Sequence, residues 1–150
     1  MKTILRADSA YLRKNLMTMH ALAGDYHDRA GERTPDADHL MLQFFKHLDS
    51  PNCLLIVVEE DGRPAGFLFA LAHERMAFLN AAYLGLKNRK DSDTLKRDCL
   101  QHFDDWAREL KCEEAAFTTM RGPYAHQWAE KSGWEYQFSV FHKRLEPQNG

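Results

Sequence analysis

The sequence predicts an α/β protein of the α+β type, with a mixed, mostly antiparallel central sheet of six to seven strands and about four helices. Three observations carry that expectation. The apolar run CLLIVVEE is followed by Asp61-Gly62 and then by a second apolar run, RPAGFLFALAH, which is the pattern of a tight hairpin. Stretches with apolar residues at helical spacing lie on both sides of this hairpin. An amphipathic stretch then separates two strand-like runs, so the second of these should run parallel to the first. The predicted order is β-α-α-β-β-β-α-β-α-β.

The elements follow in chain order. TILRA (3–7) is a short strand. Asp8 and Ser9 are good N-caps for a helix whose stripe is Leu12, Leu16, Met19 and Ala23, with Gly24 expected to close it. DYHDRAGER (25–33) reads as a polar connector. Thr34 and Pro35 then open a second helix with Leu40, Phe44 and Leu48 inward, and Pro51 stops it. CLLIVVEE (53–60), RPAGFLFALAH (63–73) and MAFLNAAYLGL (76–86) form a meander. The next helix buries Leu95, Cys99, Leu100, Phe103, Trp106 and Leu110. EAAFTTM (114–120) is the parallel strand. GPYAHQWAEKSG (122–133) is a short helix, and WEYQFSVFHKRL (134–145) a final strand or hairpin.

Composition narrows the function classes. The chain begins with Met1 and its 150 residues are expected to form one domain, 1–150. Apolar residues make up 44%, charged residues 28%, and the net charge is −2, so bulk charge points to neither a nucleic-acid nor a membrane-surface partner. No apolar run approaches the ~20 residues that span a bilayer. MKTILRADSAYLRK lacks the apolar core of a signal peptide, and a cytoplasmic location is expected. Cys53, Cys99 and Cys112 are odd in number and widely spaced, the pattern of core residues rather than of a disulfide framework. Eight histidines occur without H-E-x-x-H or C-x-x-C spacing, so no metal site is expected. No G-x-S-x-G elbow is present either.

The stretch KNRKDSDTLKRD (87–98) lies between a strand and a helix, the usual place for a phosphate held on a helix N-terminus. It contains no glycine and carries Asp91, Asp93 and Asp98 against Lys87, Arg89, Lys90, Lys96 and Arg97. Two readings stay open. A free, cation-lined helix start would bind an anion. A start capped by its own aspartates would not.

Three stretches together resemble the GNAT superfamily of acyl-CoA N-acyltransferases: CLLIVVEEDGRPAGFLFAL, AAYLGLKNRKDSDTLKRDCL and WAEKSGWE. They stand in the family's order over nearly the whole chain. The resemblance implies a GNAT-like fold, acetyl-CoA as co-substrate and transfer of an acetyl group to an amine of a small molecule or protein. It places the diphosphate loop at 89–94, with Arg89 at the family's first position and Ser92 and Thr94 at its two small positions. It implies cofactor contacts from Leu84, Leu86, Arg89, Lys90, Ser92 and Thr94. An oxyanion-holding backbone N–H would fall between Tyr83 and Leu86, with Gly85 permitting the bend. The family's tyrosine acid position is occupied by Ala129, so Tyr124 on the same short helix becomes the candidate phenol. Glu74, His73 and Tyr83 are the candidates for a base. The aromatics on the final strand, Tyr136, Phe138 and Phe141, make a candidate homodimer surface. A catalytically silent GNAT-like binding module is the competing expectation.

Overall fold

The structure, a computed structural model, describes residues 1–31, 34–117 and 131. The chain divides into two compact units, Met1–Phe117 and Thr118–Gly150. The expected helix at 122–133, with Tyr124, and the aromatic strand at 134–145 lie outside the described residues.

The first unit is a five-stranded sheet in the order β1 (Lys2–Arg6), β2 (Cys53–Glu60), β3 (Arg63–His73), β4 (Met76–Leu84) and β5 (Glu114–Phe117). The first four strands pair antiparallel, and β5 pairs parallel with β4 over Met76–Leu79. The crossover logic read from the sequence therefore holds. At the β2–β3 turn, Asp61 and Gly62 both take positive φ (52° and 80°), the requirement of the mirror-image hairpin turn that asparagine, aspartate and glycine satisfy.

The helices depart from expectation at several places. The first helical segment is two helices, α1 (Ser9–Lys14) and α2 (Leu16–Ala30), broken at Asn15. Asp8 caps α1, its carboxylate accepting the Tyr11 N–H at 2.8 Å. Gly24 does not end the helix. It sits inside α2, which runs through the stretch expected to be a connector and ends at Gly31, φ 96°. Gly24 faces the next helix without crowding: a Cβ there would lie 3.9 Å from the Ala37 Cβ, an ordinary van der Waals contact. That helix, α3 (Ala37–His47), is capped not by Thr34 but by Asp36, whose carboxylate accepts the His39 N–H at 2.9 Å.

Period-2 alternation sorts the strands into two faces. Leu55, Val57, Phe67, Phe69 and Ala81 join Leu12, Met19, Leu22, Leu40 and Phe44 in one core, beneath α1–α3. Phe44 is fully buried and meets Phe67 and Phe69 edge-to-face at 5.5 and 5.0 Å. The alternate residues Leu54, Ile56, Val58, Leu68 and Ala70 are also buried. α4 (Ser92–Glu109) turns Leu95, Cys99, Leu100, Phe103, Trp106 and Ala107 inward and packs on β2, β3 and β5. No described helix is long and apolar enough to cross a membrane.

Candidate active site

Two close approaches set the end of the sheet where β4 runs into α4. Gly66 on β3 pairs with Leu84, and a Cβ at Gly66 would lie 2.7 Å from the Tyr83 carbonyl oxygen and 2.8 Å from Leu84 Cδ1. Only glycine lets the two strands meet there. The Gly85 N–H then donates to the Ala65 carbonyl at 2.8 Å, and Leu86 is buried. These contacts fix where the following loop begins.

The loop is bonded at its start and open at its end. The amides of Lys87 and Asn88 donate to the two carboxylate oxygens of Glu60, at 2.9 and 3.1 Å. Those two bonds hold the Glu60 carboxyl below its ordinary range. The Lys90 N–H donates to Asn88 Oδ1 at 3.0 Å, and the Lys2 ammonium donates to the Lys90 carbonyl. The Ser92 N–H donates to the Arg89 carbonyl at 3.1 Å. Asp91 then takes the left-handed conformation, φ 65°, and its side chain makes no capping bond to α4. The amides of Arg89, Asp91, Asp93 and Thr94 meet no acceptor among the described residues. Of the two open readings of this stretch, the structure shows the uncapped one.

The charges around it favour an anion. Lys87, Arg89 and Lys90 are exposed and make no ion pair among the described residues, while Lys96 reaches Asp93 only at 3.9 Å. Ser92 opens α4, and Thr94 is exposed in its first turn. Four consecutive features therefore coincide: a strand end, a left-handed turn, an uncapped helix start and surplus cations. That combination can hold a phosphate group through backbone amides and the helix dipole.

The upstream part of β4 carries a second feature. Ala81 pairs with Phe69 and Leu79 with Ala70, so Asn80 is an extra residue without a β3 partner. This bulge is five residues before Gly85, where the bend was expected. The strand bends where the ladder drops a residue, and Gly85 keeps a regular bond to Ala65. Among the described residues, β4 has no neighbour on its β5 side beyond Leu79.

Of the candidate catalytic residues, Glu74, His73 and Tyr83 are among the described ones, and Tyr83 lies apart from the other two along β4. Glu74 sits in the β3–β4 turn at φ 55°, exposed, with His73 as its nearest ionic partner at 3.9 Å. It is at the start of the nine-residue β4, and the loop is at its end, ~30 Å away. Tyr83 lies on the loop side of the bulge. It packs against the core beneath α1–α3, with the Arg29 guanidinium 5.9 Å above its ring. Leu84 is half-buried beside it. Sequence reasoning missed Glu60, the Asn80 bulge and Arg29. An acidic residue ending an apolar strand carries no visible signal of the amides it will meet, and a bulge has no fixed residue signature.

His20 and His27 share α2, but each ring is engaged: His20 with Asp38 at 2.7 Å and His27 with the Thr34 hydroxyl at 3.0 Å. Cys53 and Cys99 are raised to about 11 and about 12 by burial, which suits them to packing rather than to nucleophilic chemistry.

No family model and no curated protein matches the sequence. Solved structures do match. The chain is similar to the aminoglycoside N-acetyltransferase AAC(6')-Iy in complex with CoA, at TM-score 0.72 and 14% identity over 98% of this chain and 96% of that one. It is similar to an aminoglycoside acetyltransferase from an uncultured soil metagenomic sample, in complex with sisomicin, at TM-score 0.70 and 18% identity over 97% of each chain. It is also similar to glucosamine-6-phosphate N-acetyltransferase from Arabidopsis thaliana, at TM-score 0.67 and 12% identity over 97% of this chain and 99% of that one. The chain has the GNAT fold.

Proposed function

We propose that this protein is an N-acetyltransferase that uses acetyl-CoA and transfers the acetyl group to an amine. One observation carries the reading: the N-terminus of α4 is left uncapped, with the amides of Asp93 and Thr94 unaccepted and exposed cations beside them. A helix start that formed only for stability would use Asp91 or Ser92 as its own cap. Here both are present and neither does so.

In this reading Arg89, Lys90, Ser92 and Thr94 hold the diphosphate of CoA, the first two by charge, Ser92 by its hydroxyl and Thr94 by amide and hydroxyl. Leu84 and Leu86 line the path of the pantetheine arm along the end of β4. Acetyl-CoA supplies an activated thioester. The β3–β4 ladder drops a residue at Asn80, and in this reading a backbone N–H at that bulge receives the negative charge that develops on the carbonyl oxygen. An attacking amine must lose a proton, and the departing thiolate gains by receiving one. Tyr83, close to the bulge, and Tyr124 are the phenols assigned to this proton traffic. Glu74 is set too far along β4 to share it. The acceptor is a small-molecule amine in this reading, because the similar structures include acetyltransferases named for aminoglycosides and for an amino sugar phosphate.

Thermal unfolding with millimolar acetyl-CoA, CoA or no ligand tests the cofactor step. A ligand that binds only the folded state raises its melting temperature, and ~100 Kd of ligand adds about 2.7 kcal/mol. The expected result is a rise of several degrees with both thioester and free CoA, reduced in Arg89→Ala. An unmoved transition in the wild type would overturn the reading. Binding without any CoA release across a panel of amines would favour a silent binding module on the same fold.

A further inference from the structure

Glu60 is the last residue of β2, two strands away from the strand that delivers the loop. Its single carboxylate closes two consecutive loop amides, Lys87 at 2.9 Å and Asn88 at 3.1 Å. Lys2 is its register partner on β1 and ties the same loop again through the Lys90 carbonyl. Both tethers therefore start from one end of the β1–β2 ladder. Beyond the two amides that Glu60 takes, those of Arg89, Asp91, Asp93 and Thr94 stay without an acceptor among the described residues.

A carboxylate is an unexpected neighbour for a diphosphate site, because like charges repel. Its position resolves the conflict. The amides it takes precede Arg89, so it does not occupy those of 89–94. The two amide bonds and the Lys2 charge lower its pKa, against the opposing charge of Asp61. Charge-assisted bonds from two adjacent amides to one carboxylate also fix the loop's direction more firmly than a neutral acceptor would.

We propose that Glu60 is a positioning residue for the cofactor site: by holding the Lys87 and Asn88 amides it sets the course of the loop and leaves the later amides facing outward for a diphosphate. The proposal rests on the reading that this loop binds CoA. The opposite role, a built-in carboxylate that stands in for phosphate and must be displaced, makes the opposite prediction for the same variant.

The test is CoA titration calorimetry on wild type, Glu60→Ala and Glu60→Gln, with amide hydrogen exchange on the ligand-free proteins. Glu60→Ala is expected to weaken CoA binding roughly tenfold, the scale of losing bonds to a charged acceptor. Glu60→Gln keeps one acceptor oxygen and should lie between. Exchange at Lys87 and Asn88 should rise in Glu60→Ala while the core strands stay protected, which a general loss of stability would not produce. Unchanged or tighter CoA binding in Glu60→Ala, with the wild type binding, would overturn the positioning role alone. A wild type that does not bind CoA would bring down the cofactor reading, and this proposal with it. Should the alanine variant fail to fold, the isosteric Glu60→Gln carries the comparison.

Discussion

Asp91 shows how a single residue can be set against its own backbone. At φ 65° it occupies the left-handed region, which costs an L-residue with a Cβ roughly 1–2 kcal/mol, less for aspartate than for most. The family resemblance places a small residue one position later, at Ser92, yet the structure puts the strained conformation at Asp91. The carboxylate gives nothing back, since it makes no capping bond. Asp91→Gly should therefore raise the melting temperature, reflecting about 1 kcal/mol of relieved strain. It should also tighten CoA binding, because it removes a negative charge from the loop. Calorimetry and titration check both. A lower melting temperature would mean that the aspartate makes a stabilising interaction in the free protein. Four of the residues singled out from the sequence for the cofactor, Arg89, Lys90, Ser92 and Thr94, fall on the uncapped loop and helix start. Glu60 was not legible, because its partners are backbone amides that any sequence at 87–88 would supply.

At the scale of elements, the β3–β4 pair decides the site. Its hairpin register depends on Gly66, where a methyl group would run into backbone at 2.7 Å. Backbone cannot move aside as a flexible side chain can. Gly66→Ala should destabilise by about 2 kcal/mol or more, within the range of overpacking, and should weaken CoA binding because Leu84 opposite it leads into the loop. Urea unfolding with a CoA titration on the same variant tests this, and a variant indistinguishable from wild type in both would refute it. The meander of β2, β3 and β4 was readable because its runs are apolar and its turn residues are specific. The extent of α2 was not. Glycine at position 24 is read from sequence as a stop, but a glycine without a left-handed φ can continue a helix, and here the helix runs on to Gly31.

For the described part of the molecule as a whole, stability rests on two cores, one on each face of the sheet. Phe44 joins α3 to the sheet through two aromatic contacts and is fully buried. Phe44→Ala should cost ~3–5 kcal/mol in equilibrium unfolding, and a loss below ~1 kcal/mol would show that the α1–α3 layer contributes little to the fold. The sequence by itself determined the fold class, the order of the strands through β5 and the place of the polar turn between β4 and α4. Each of these follows from hydrophobic period and turn chemistry, which are local. The tertiary structure alone decided which amides in that turn are free, because this depends on a carboxylate from a strand 27 residues away. It also decided where β4 bulges and which candidate residues share an end of the sheet, because these depend on register between strands, and register is a property of the pair.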